Sequence, residues 1–208
     1  MKMALDCSPG QIHKIRRENL DLAPQIMQLR TPLTRYRADN LGVFKYGLDN
    51  GAFSRPPGDI FLKMALAAKD DPACSWIVMP DVVGDAGSTT VLFHYWVQEL
   101  NLEDKRAYAL QDGVQNVAIP WNDFECLFIG GTDYFKESSG CLEIAARAKE
   151  LGKWIHVGRV NTPRRIVYWD GIGDSFDGSG ISRFTDQRNQ AFQVMRELTG
   201  THQERFFL

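Results

Sequence analysis

Short apolar runs recur along this chain. Several end in a polar residue followed by glycine or proline, the form taken by a strand that runs into a loop. The clear runs are Phe44 to Leu48, Trp76 to Met79, Ala107 to Leu110, Cys126 to Ile129 and Trp154 to Val157, with Ile172 to Phe176 less apolar. Met3 to Leu5 and Ile26 to Leu29 are weaker, and together the runs predict about eight strands.

Segments of helical period lie between them. Ile60, Met64, Ala67 and Ala68 share one face after Pro56-Pro57-Gly58, and Leu92, Tyr95, Trp96 and Leu100 do the same in the next segment. A third helix carries Leu142, Ala145, Ala146 and Lys149 to Leu151 and stops at Gly152. The last runs from Thr185 to Leu198, with Phe192, Met195 and Leu198 as its stripe and Gly200 as its stop. No repeat, low-complexity tract or linker interrupts the pattern, so residues 1–208 are expected to form a single domain.

Strand and helix alternating over the whole length imply a parallel sheet covered by helices. The strand count favours an α/β fold of the closed kind, a compact (β/α)8 TIM-like barrel, over an open doubly wound sheet. The length sits at the small end of the roughly 200 to over 400 residues of that architecture. ALDCSPGQ stands where a dinucleotide fold would place G-x-G-x-x-G, which counts against the open alternative.

Composition narrows the function only by exclusion. With 208 residues, 44% hydrophobic and 24% charged, the chain can bury a sizeable core and is neither disordered nor a stapled mini-protein. Lys and Arg number 24 against 26 Asp and Glu, so no global positive field draws it to nucleic acid and any such binding needs a local patch. Cys7, Cys74, Cys126 and Cys141 lack zinc or redox spacing and read as reduced thiols. Neither a secretory segment nor an apolar stretch approaching ~18 residues is present, so the expectation is the cytoplasm, a host's cytoplasm for a phage-encoded chain, without membrane association.

In such barrels the chemistry sits at the carboxyl ends of the strands. Those positions hold Asp49 in GLDNGAF, Asp81 in VMPDVVGD, Gln111 in ALQDG, Gly130 and Gly131 in FIGGT, Arg159 and Asn161 in HVGRVNT, and Asp177 in DSFDGSG. A single Asp after a strand is most often a helix cap or turn residue; convergence on one rim is what argues for a site. His13, His94 and His202 fall in helical or terminal segments, and His156, inside an apolar strand, reads as a packed core residue rather than a base. Three carboxylates can hold a hard cation such as Mg²⁺ or act as acid, base and nucleophile at an anomeric carbon, and the residues alone leave both open.

As an ordered set, LDNGAFS (48–54), VMPDVVGD (78–85), ALQDG (109–113), FIGGT (128–132), HVGRVNTPRRI (156–166) and GDSFDGSG (173–180) resemble the tRNA-guanine transglycosylase superfamily. The resemblance is closest to its short phage and bacterial branch, the DNA 7-deazaguanine transglycosylases. It implies that Asp177 is the nucleophile that attacks the sugar C1′ and expels guanine, and that Asp49 handles protons. Asp81 would accept hydrogen bonds from the guanine N1 and N2 edge, with Gln111 and the Gly130–Gly131 backbone on the O6 side. Arg159 and Asn161 would complete the substrate-binding set. No metal or redox cofactor is implied.

The departures concern the polymer. The zinc-supported extension of the queuosine-forming tRNA enzymes is missing, since no Cys follows Cys141, and GSGISRF replaces the C-V-x-P-T-R run, leaving Arg183 as the one counterpart of its backbone-binding arginines. DNA is therefore the expected partner, its target guanine turned out of the stack, together with a free 7-deazaguanine base. Arg35, Arg37, Arg164 and Arg165 follow strand ends and are candidate phosphate contacts, as are Lys14, Arg16 and Arg17; solvated or ion-paired side chains are the plain alternative. A compact tRNA enzyme, a guanine-releasing glycosidase and a non-catalytic purine- or nucleic-acid-binding subunit stay open, as does a partner protein or a second copy.

Overall fold

In the computed structural model the apolar runs close into one all-parallel barrel: β1 (Lys2–Leu5), β2 (Ile26–Arg30), β3 (Tyr46–Leu48), β4 (Cys74–Val78), β5 (Arg106–Leu110), β6 (Cys126–Ile129), β7 (Trp154–Val157) and β8 (Ser175–Asp177). Each pairs with the next, and β8 returns to β1 through Met3 opposite Phe176 and Ala4 opposite Asp177. The structure describes residues 1–34 and 44–206, and of 201–206 only the helical backbone. The fold is a (β/α)8 barrel of the TIM type.

Around it lie α1 (Pro9–Glu18), α2 (Asp59–Lys69), α3 (Ala86–Leu100), α4 (Asp133–Lys136), α5 (Ser139–Glu150), α6 (Pro163–Trp169), α7 (Ser179–Arg183) and α8 (Thr185–Phe206). The outer ring is irregular. Among the described residues no helix joins β2 to β3, and β5 reaches β6 through a single 3-10 turn, Val114–Asn116. Side-chain oxygens start the helices: Ser8 accepts from Gln11 N–H, Asp85 from Ser88 N–H and Ser138 from Cys141 N–H. No helix among the described residues is long and apolar enough to cross a membrane.

Strand period sorts the core into two layers. Ala4, Met27, Leu29, Trp76, Val78, Ala107, Ala109 and Cys126 fill the barrel, with Phe128 and Trp154 packed on them. Their neighbours in sequence, among them Met3, Leu5, Tyr46, Leu48, Ile77, Tyr108 and Leu127, face the helices. Much of the inner set is small because one residue is large: the fully buried Trp76 lies across the barrel, its ring 5.9 Å from Phe128 and 4.4 Å from His156.

The last helix buries Phe192 and Met195 with Leu198 packed on the core, as the period predicts. Ala68, Leu100 and Ala145 are also buried as expected, but on α2, α3 and α5 the faces are shifted. On α2 the buried residues are Phe61, Ala65 and Ala68, with Ile60 and Ala67 exposed. On α3 Phe93 is buried and Tyr95 exposed; on α5 Cys141, Ala145 and Ala148 are buried and Ala146 exposed. The contact lines combine small residues with single large ones, Ala65 and Ala68 with Phe61 on α2 and Ala86 and Thr89 with Phe93 and Leu100 on α3. Gly200 does not end the last helix, which continues to Phe206, whereas Gly152, at φ +72°, does stop α5. Strand β8 begins at Ser175 because Ile172 and Gly173 close a turn on the Trp169 carbonyl.

A Cβ at Gly47 would overlap the Trp76 indole. Gly47→Ala is therefore expected to lower stability by about 1–3 kcal/mol through overpacking, read from the midpoint of denaturant unfolding.

Candidate active site

The last inward position of each strand lies where the barrel opens, and there the apolar interior gives way to polar groups. Asp6 follows β1, Thr31 follows β2, Asp49 follows β3 and Gln111 follows β5, while Asp177 ends β8. Two cavities meet at this mouth. The inner one, about 450 Å3 counting its mouth open to solvent, reaches Asp81, Gln111, Gly130 and Gly131, between walls that include Val78, Val83 and Phe128. The outer one, about 860 Å3, reaches Asp6, Thr31, Ser179, Ser182 and Arg183. Asp49, Phe53, Arg159 and Asp177 belong to both.

Asp81 is the buried floor of the inner cavity. Asn50 Nδ2 donates to its Oδ1 at 2.7 Å and Gln111 Nε2 to its Oδ2 at 2.6 Å. Each amide is itself anchored, Asn50 by donating to the Met79 carbonyl and Gln111 by accepting from Gly84 N–H. Burial pushes the Asp81 carboxyl above the usual carboxylate range, and the two amide bonds oppose it. Each oxygen keeps a lone pair for a ligand, and Gln111 keeps its second N–H.

Asp177 is almost completely buried. Its Oδ1 accepts the Arg159 backbone N–H at 3.3 Å, and its Oδ2 lies 2.9 Å from His156 Nε2. Arg159 takes a left-handed conformation, φ +58°, an uncommon choice for a residue with a side chain. That turn brings its N–H onto Asp177 while its guanidinium donates to the Gly131 carbonyl at 2.6 Å and lies 4.3 Å over the Phe53 ring.

Asp49 accepts the Gly51 N–H at 2.8 Å. Burial pushes its carboxyl up to about 7; the Gly51 bond works against this, and the charges of Asp177, Asp81 and Asp6 add to it. Burial thus raises two carboxyls of the site, Asp49 and Asp81, with Asp49 brought close to neutrality.

Several expected contacts take other forms. The Gly130 N–H is spent on the Leu110 carbonyl, so it cannot read a ligand, although Gly130 is indispensable as a glycine because a Cβ would strike the Gln111 amide. Asn161 lines neither cavity; its Oδ1 accepts from Gly180 N–H and fastens the start of α7. Arg164 and Arg165 are paired, both with Glu137 and Arg165 also with Asp133, so their charges are already matched. Arg183 is exposed on the outer cavity and makes no ion pair among the described residues. Arg35 and Arg37 lie outside the described residues.

Three participants carry no mark in the linear reading: Asn50, Asp6 and the contact of His156 with Asp177. His156 is fully buried, as a core residue would be, yet it touches the candidate nucleophile. The available signal is strand parity, since Trp154, His156 and Gly158 share one face of β7 and Ser175 and Asp177 one face of β8. The four cysteines are free and buried, and burial raises every thiol. Among the described residues no group of three His, Cys, Asp or Glu side chains is arranged to hold a metal ion. No family model matches the chain, and no curated protein or solved structure matches it at a significant level.

The Asp49 environment sets a pH dependence of stability. A carboxyl raised from 3.8 to about 7 stays protonated in the fold while the unfolded chain ionises, so its contribution falls as pH rises between those values. Asp49→Asn is expected to match the parent near pH 4 and exceed it by up to about 4 kcal/mol above pH 7, at about 1.4 kcal/mol per pH unit. Urea unfolding at the two pH values checks this; equal stability at both would remove the assigned burial cost.

Proposed function

We propose that this protein is a base-exchanging pentosyltransferase that replaces guanine in DNA by a 7-deazaguanine base through a covalent Asp177–deoxyribosyl intermediate. The observation that carries this reading is the junction: Asp177 and Asp49 stand where the inner cavity, floored by a pinned carboxylate, opens into the outer one. A nucleotide fits such a pair of compartments with its base inside, its glycosidic bond at the junction and its sugar and phosphates outside.

Recognition follows from donors and acceptors. The guanine N1–H and N2–H edge presents two adjacent donors, and an ionised Asp81 accepts both with the lone pairs that Asn50 and Gln111 leave. Adenine would set its N1 acceptor against a carboxylate and lose that pairing. The apolar side chains of Phe128, Val78 and Val83 that line the inner cavity suit the faces of a planar base. The second N–H of Gln111 is the remaining donor for O6.

For the chemistry, Asp177 forms a C–O bond to C1′ as the C1′–N9 bond breaks and the electron pair leaves on the base. Neutral Asp49 supplies the departing base with a proton. In the return half the incoming base gives its N9 proton to the Asp49 carboxylate, N9 bonds to C1′, and the Asp177 C–O bond breaks. One group thus acts as acid and then as base, as a pKa of about 7 allows. The choice of DNA rests on the resemblance to the short branch. It is supported by Arg159 and Arg183 beside the outer cavity and by exposed Leu33 and Phe53, which suit an unstacked strand.

Incubation with guanine-containing DNA should give a covalent adduct by denaturing gel and intact mass, resolved by a free 7-deazaguanine base and absent in Asp177→Asn. Labelled guanine offered with DNA or with tRNA identifies the polymer by which one takes up label. Absence of both adduct and exchange on either polymer would instead favour a non-catalytic purine-binding subunit. Asp81→Asn should raise the KM for guanine exchange by roughly 10- to 100-fold, the cost of losing charge-assisted bonds. For guanine release, kcat/KM should fall above about pH 7 as Asp49 loses its proton.

A further inference from the structure

His156 lies inside the barrel, where no solvent reaches it, at the end of a chain of polar atoms that the reaction above does not use. Trp154 Nε1 donates to Ser175 Oγ at 2.8 Å, Ser175 Oγ lies 2.8 Å from His156 Nδ1, and His156 Nε2 lies 2.9 Å from Asp177 Oδ2. Ser175 and His156 are fully buried. Trp76 at 4.4 Å and Phe128 at 5.0 Å hold the imidazole by its faces, and neither side chain offers a competing acceptor to its nitrogens.

Two independent arguments fix where the imidazole proton sits. The indole is a donor only, so Ser175 Oγ accepts from it; the hydroxyl hydrogen then needs an acceptor, and in this buried place His156 Nδ1 is the one within reach. From the other side, the nucleophilic role requires Asp177 as a carboxylate, which can only accept, so His156 Nε2 must carry the hydrogen. Both ends of the chain demand the Nε2–H tautomer.

We infer that His156 is the positioning residue of Asp177: the Trp154–Ser175–His156 chain locks the Nε2–H tautomer, which holds the inner oxygen Oδ2 and leaves Oδ1 to attack. The distances agree with this division, since Oδ2 has the bond at 2.9 Å on the closed side while Oδ1 has a longer one, 3.3 Å, from the Arg159 N–H. The two bonds fix the carboxylate plane. The tautomer is a property of the fold; the attacking role rests on the reading of Asp177 as nucleophile.

Two measurements separate those claims. In protein labelled with ¹⁵N-histidine, nitrogen–proton correlation of His156 should show Nε2 protonated and Nδ1 bare; protonated Nδ1 or an averaged pair would overturn the relay. In exchange of labelled guanine into DNA, His156→Leu should lower kcat by roughly 10- to 100-fold, the worth of one hydrogen bond to a charged group, with KM within about threefold. His156→Gln, whose amide N–H can replace Nε2–H, should recover most of that loss. Full activity in the Leu variant, or none recovered in a folded Gln variant, would overturn the positioning role. Should Leu fail to fold, the Gln variant and the tautomer still decide. A parent protein with the Nε2–H tautomer that forms no adduct and exchanges no base would support the relay and overturn the transglycosylase reading instead.

Discussion

Everything in this molecule follows from closing eight strands, none longer than five residues, into a barrel. No strand has room for more than three inward side chains, so the interior is filled a few residues deep and the next inward position already stands at the mouth. The apolar layer around Trp76 and the polar layer around Asp49, Asp81 and Asp177 are thus adjacent turns of one alternation. A dry floor directly beneath the carboxylates is a geometric necessity of so short a barrel. Their electrostatics depend on it, because burial is the largest cause of the upward shifts of Asp49 and Asp81.

The direct hydrogen bonds to that buried charge come from amides, backbone and an imidazole. Asn50 and Gln111 hold Asp81, the Gly51 N–H holds Asp49, and the Arg159 N–H with His156 holds Asp177. Hydrogen bonds from amides and backbone orient a carboxylate without cancelling its charge, which keeps it able to accept from a ligand or to attack one. The guanidinium of Arg159 stands close by but is committed to the Gly131 carbonyl and the Phe53 face. The fold therefore bears a standing cost at the mouth, offset by the apolar packing below it.

Strand ends were legible in the chain because a run that stops at a polar residue before glycine or proline is a local pattern. Asp49, Asp81, Gln111 and Asp177 could accordingly be placed on one rim before any coordinates. Helix faces were less legible. On α2 Ala68 is buried and Met64 packs on the core as the period places them, but Phe61 and Ala65 join them rather than Ile60 and Ala67, since the covered face is set by how the helix lies on the strands. Least legible were pairings across strands. Nothing local links His156 to Asp177 or Asn50 to Asp81; they meet because neighbouring strands share a register. The arginines fall in the same class, for only the fold brings Glu137 to Arg164 and Arg165.

Gly47 and Trp76 occupy one volume between them. A larger residue at the first position demands a smaller one at the second, so substitutions at the two positions are coupled. The mouth is tied to that pair through His156, on which Trp76 packs and which bonds Asp177. A change at either position is therefore felt beyond the core, at the carboxylate that His156 holds.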